Sequence, residues 1–156
     1  MQSLGSLYQK SLRSLAVGAF TFMVPAQSMA TPCATSTEKE AMDFRAMQSM
    51  LMVAALSCHQ QSHYNNFVSH NKSELVENAN VLKSYFHRVY GRGANDKMNS
   101  FITTLANEAS KRSLSSSSES YCMQTERVFS QVLEDRSAKL SKANDYATLH
   151  GVQACR

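Results

Sequence analysis

Proline is nearly missing from this chain, with two in 156 residues, and glycine numbers only five. Stretches in which apolar and polar residues alternate are scarce too, so a sandwich or barrel of strands finds no support. The glycines form no Walker loop and no dinucleotide-binding pattern, and neither a Gly-x-Ser-x-Gly elbow nor a His-Glu-x-x-His pair is present. Those absences remove the common signatures of nucleotide binders, serine hydrolases and zinc peptidases. No apolar run reaches the roughly 20 residues that a membrane-spanning helix needs. The most apolar stretch, Leu15 to Ala26, is short and is interrupted by Pro25.

What is present begins with the layout of an export leader. Lys10 and Arg13 form a basic start without an acid, Leu15 to Ala26 form the apolar middle, and Ser28-Met29-Ala30 puts small residues where a signal peptidase reads. Cleavage after Ala30 is the first expectation and after Ser28 the second. A lipid anchor is not expected, because Cys33 follows Ala30-Thr31-Pro32 rather than a lipobox. The whole chain has 16 basic and 12 acidic residues. Losing Lys10 and Arg13 leaves a net charge of about +2, too little to read as a nucleic-acid footprint. A mature chain of about 126 residues, with no transmembrane segment, fits one domain that benefits from crosslinks.

All four cysteines, Cys33, Cys58, Cys122 and Cys155, lie beyond the expected leader. An even number in an exported chain favours disulfides, and the spacings are too wide for a zinc ribbon or a redox pair. Thr37 to Glu40 has the form of a capping box, followed by Met47, Met50, Leu51, Ala54 and Cys58 at helical spacing; together they predict a first helix over about 38 to 58. Leu75, Ala79, Leu82, Tyr85, Phe86 and Val89 predict a second that stops at Gly91, preceded by a shorter one around Ser62 to Ser69. Gly91 to Lys97 reads as a loop. A third stripe runs from Met98 to Ala109 and ends in the serines at 113–120, a fourth from Tyr121 to Leu133, and the tail from Ser137 has room for one more helix before Gly151. Four amphipathic helices on short loops pack as an all-α antiparallel bundle. In an up-down order Cys58 and Cys122 share one end, so the expected pairs are Cys58 with Cys122 and Cys33 with Cys155, nested.

Three histidines, His59, His63 and His70, fall within twelve residues. On a continuous helix His59 and His63 would share a face, at a spacing that can hold zinc, copper or nickel; a polar helix end facing water is the competing explanation. Met47, Met50 and Met52 resemble copper(I)-binding methionines but fit core packing better. Covalent haem would need a cysteine at position 55, which is Ala55, and no cofactor is expected. Arg88, Tyr90, Arg92 and Lys97 concentrate positive charge around an aromatic ring at a helix end. That corner would suit an acidic protein, a glycan or a lipid headgroup, but not nucleic acid in this compartment. Asn71-Lys-Ser73 fits a glycosylation sequon, and Glu108 is an isolated helical carboxylate.

Met50-Leu-Met-Val-Ala-Ala-Leu-Ser-Cys58, Tyr64-Asn-Asn-Phe67, Tyr85-Phe-His-Arg-Val-Tyr-Gly91 and Leu105-Ala-Asn-Glu-Ala-Ser110, together with Cys33, resemble a set of small exported four-cysteine helical proteins of alphaproteobacteria. The resemblance implies a periplasmic address and carries no activity. The expected function is thus an exported binding or accessory module, periplasmic or secreted. The alternatives are a small metal or haem carrier and a helical enzyme of unrecognised type, which would need a cleft with paired carboxylates.

Overall fold

The structure, a computed structural model, describes residues 33–134, 147 and 150–155. The expected leader lies outside the described residues, as does most of the tail from Ser137. The chain starts with β1 (Cys33–Ala34), then α1 (Ser36–Ser57), α2 (Gln61–His70), α3 (Lys72–Tyr90), a single 3-10 turn over Gly91–Gly93, α4 (Ala94–Leu114), α5 (Ser118–Glu134) and β2 (Gln153–Ala154). It is an all-α bundle with two disulfides, Cys33–Cys155 and Cys58–Cys122, the expected nested pair.

The helix starts and stops follow local chemistry, with three departures from expectation. The capping box of α1 is Thr35 with Glu38, one turn-half earlier than Thr37 with Glu40: the Thr35 hydroxyl accepts from the Glu38 amide at 3.2 Å, and the Thr35 amide donates to Glu38 at 2.8 Å. Both pairs satisfy the pattern, but only Glu38 also meets a cation from another helix, Arg88. The expected loop from Gly91 to Lys97 shrinks to the 3-10 turn. Gly91, at φ 51°, supplies the left-handed step. Ala94 is already buried in the core, while Asp96 in the first turn of α4 complements its positive end. Strand, expected nowhere, occurs as a two-residue parallel pair, Cys33 beside Gln153 and Ala34 beside Ala154. Two residues are too few to leave an alternating pattern in sequence.

The short helix and the second one are nearly continuous. Asn71 alone separates α2 from α3; its amide donates to the Phe67 carbonyl at 3.1 Å, and Leu75 donates to the Asn71 carbonyl at 2.9 Å. The Asn71 side chain also donates to the Phe67 carbonyl, at 2.7 Å, at the residue whose backbone (φ -112°, ψ 19°) interrupts the helix. Asn71 is buried, so the sequon presents no free amide in the folded protein. Between α4 and α5 the serines cap both ends: Ser115 Oγ donates to the Arg112 carbonyl, and Ser117 Oγ accepts from the Ser120 amide.

Packing divides into two cores strung along α1. At the Cys33–Cys155 end, Met42, Leu82, Tyr85, Phe86 and Leu105 are buried together with Ala147. Toward the Cys58–Cys122 end, Phe44, Met47, Leu51, Phe67, Phe129 and Val132 form the second. A single apolar face was expected on the first helix. Instead α1 touches every other helix and buries residues around its circumference, from Ala41 and Phe44 to Ser49, Val53 and Ala55. The small residues Ala46 and Ala109 lie where α1 meets α4, allowing close approach of helices that run in the same direction. No helix among the described residues is long and apolar enough to cross a membrane.

Candidate functional site

The histidines are not arranged as a continuous helix would place them. α1 stops at Ser57, and His59 adopts φ 56°, the left-handed position of a helix C-terminus. The Gln60 amide then donates back to the Ala55 carbonyl at 2.9 Å, the closure of a Schellman stop built on His in place of Gly. His59 is therefore in the turn and solvent-exposed, whereas His63 lies in the first turn of α2, packed edge-to-face with Phe129 with ring centres 5.6 Å apart. His70 caps its own helix, with Nδ1 2.9 Å from the Asn66 carbonyl. Among the described residues no three His, Cys, Asp or Glu side chains gather closely enough to hold a metal ion. Met47 is buried in the second core, Met50 packs against it, and Met52 is exposed.

The basic corner is split by the fold. Arg88, although exposed, is tied down by contacts within the molecule: Nη2 lies 2.6 Å from Glu38 and 3.1 Å from the Cys33 carbonyl, and the guanidinium covers the Tyr85 ring at 5.5 Å. It joins α3 to the start of α1 and to the strand that carries the first disulfide. The Glu38 side chain is only 13% exposed. Burial alone would raise its pKa, but hydrogen bonds from Arg88 and Thr35 outweigh burial and hold the carboxyl below its ordinary value. Sequence reasoning missed this role because Glu38 and Arg88 are fifty residues apart.

Tyr90, Arg92 and Lys97 stay on the surface. Tyr90 stacks on Phe86 with ring centres 5.8 Å apart, and Phe86 also meets Phe101 at 5.5 Å. Lys97 Nζ stands 5.9 Å from the Tyr90 centroid, a cation-π arrangement that holds the ammonium over an exposed ring. Beside it opens a cleft of about 240 Å³ whose described walls include Tyr85, Phe86, Phe101 and Val152, with Lys97 and His150 at the polar side. Burial raises the Tyr85 pKa, so its hydroxyl stays protonated at neutral pH. Glu108, unpartnered in a sequence reading, meets His150 at 3.2 Å and ties the C-terminal segment to α4. None of the described lining residues is a carboxylate, and neither Arg92 nor Lys97 forms an ion pair with a described residue. A wider groove of about 1010 Å³ follows the outer face of α3, but it is open to solvent and mixes Glu38 and Glu77 with Lys72, so no single charge converges there.

No family model, curated protein or solved structure matches this chain.

Proposed function

We propose that this protein is a non-catalytic binding module of the periplasm or cell surface, exported by the leader at 1–30, which engages an acidic protein surface through Tyr90, Arg92 and Lys97. Two disulfides fit an oxidising compartment, and the resemblance to small exported alphaproteobacterial proteins agrees with that address. The observation that carries the binding role is the cation-aromatic corner: Lys97 is positioned over exposed Tyr90, Arg92 follows on the turn, and no described carboxylate neutralises either cation. Rigid aromatic surface beside unpaired positive charge is the composition of interface anchors. Arg88 is excluded from the contact because Glu38 already occupies it.

A polyglutamate peptide titrated into the labelled protein at low and at high salt tests the reading. Amides at 90–97 should shift at low salt, the response should fade as screening rises, and Arg92→Ser with Lys97→Ser should weaken it at unchanged thermal stability. Identical titrations for wild type and double variant would place the contact elsewhere. Mass spectrometry of protein from its native host should return an N-terminus near Thr31; an intact Met1 form would end the export reading.

A further inference from the structure

Between the two cores, where α1, α3 and α4 meet, the surface opens into a second cleft of about 270 Å³. It is separate from the Tyr90 corner. Leu75, Met98 and Ile102 form its apolar wall, and Phe44, almost fully buried, closes the floor. The space exists because α3 places only the methyl of Ala79 at this position, flanked by Leu75 and Leu82 on the same helix. A larger side chain there would fill it.

The polar side is of one sign. Arg45 on α1 and Lys83 on α3 both line the cleft, and among the described lining residues there is no aspartate or glutamate. The Arg45 guanidinium donates to Gln48 Oε1 at 2.5 Å, which steadies it without neutralising it, and Lys83 forms no ion pair with a described residue. The nearby carboxylates Glu40, Glu74 and Glu77 line a neighbouring recess that shares Phe44 and Asn78. These carboxylates border the neighbouring recess and not the cleft itself, so the described charge that lines the cleft is positive.

We propose that this cleft binds a small amphipathic anion, a single carboxylate on a short alkyl chain, with the chain against Leu75, Met98 and Ile102 and the carboxylate between Arg45 and Lys83. At about 30 Å³ for each water-sized group, the volume holds roughly nine such groups, which matches octanoate. An apolar wall with a few placed polar groups is the usual make-up of a small-molecule site, and this one is slightly smaller than the usual range. A ligand of that size binds with a dissociation constant on the order of 0.1–1 mM.

Octanoate titrated into the full oxidised protein, followed by methyl and amide NMR, tests the assignment, with octanol and acetate as paired controls. Saturable shifts at Met98, Ile102 and Leu75 are expected, with octanol and acetate at least about tenfold weaker. Lys83→Ala should weaken octanoate several-fold, and Ala79→Leu, at a solvent-facing helical position that tolerates leucine, should abolish binding. The proposal is overturned if octanol binds as well as octanoate, if shifts stay linear, if they map outside the cleft, or if Ala79→Leu folds and still binds. Should Ala79→Leu fail to fold, the octanol comparison and Lys83→Ala decide, since the Lys83 side chain is exposed.

Discussion

Removing either disulfide should destabilise the protein by nearly the same amount, although the bonds span 64 and 122 residues. Cys58–Cys122 closes a loop of 64, for which loop entropy implies about 4.3 kcal/mol at 25 °C. Cys33–Cys155 lies outside it. Once the inner bond exists, the outer one closes only the two arms, Cys33 to Cys58 and Cys122 to Cys155, a loop of about 58 residues worth about 4.2 kcal/mol. Treated alone, the span of 122 would imply about 4.9 kcal/mol, so removing the inner bond while the outer one stays costs about 3.6 kcal/mol. The estimate requires both ends of the outer bond to be held in the native state. They are: Cys155 donates to the Ala34 carbonyl at 3.0 Å, Arg88 holds the Cys33 carbonyl, and Asp43 accepts from the Ala147 amide at 2.9 Å. Urea unfolding of the paired variants Cys33→Ser/Cys155→Ser and Cys58→Ser/Cys122→Ser, followed by far-UV circular dichroism, measures both losses. The dependence on urea should also steepen in each, because the unfolded chain without a crosslink exposes more surface. A loss below about 1 kcal/mol for the outer pair, with unchanged slope, would refute the reasoning; it would mean that the C-terminal segment detaches without loosening the bundle.

Three further outcomes follow from single side chains. Phe129, fully buried in the second core against the His63 ring edge, should lose about 3–5 kcal/mol on replacement by alanine, read by the same urea titration. His59→Gly should raise stability by about 1 kcal/mol, because glycine adopts φ 56° without the strain that a side chain brings; a loss instead would mean that the imidazole makes a contact of its own. Glu38 has a folded pKa below its ordinary 4.5, so its contribution is complete above that value and is lost as pH falls through the lower folded value. Glu38→Gln should therefore be less stable than wild type at neutral pH, and the gap should close in acid below about pH 4.5; a gap that persists there would assign its cause to packing rather than charge.

The sequence by itself determined which segments are helical and how the cysteines pair. Each helix carries its own 3.6-residue apolar repeat and its own end residues, such as Gly91 after Tyr90 and the serines after Leu114, and these act over a few residues. The cysteine pairing followed because an up-down order puts Cys58 and Cys122 at one end, which needs only the number of helices between them. Tertiary structure decided whatever depends on residues far apart in the chain. Either of two overlapping Thr-x-x-Glu patterns could cap α1, and Arg88, fifty residues on, meets Glu38 of the first. His59 looked like a helical residue because its left-handed backbone is imposed by the closure of Gln60 onto Ala55 and leaves no glycine to mark it. The strand pair was invisible because two residues held by a disulfide need no alternation. The clefts at Lys97 and at Ala79 belong to no segment at all; each exists only where faces of separate helices, individually ordinary, fail to fill the space between them.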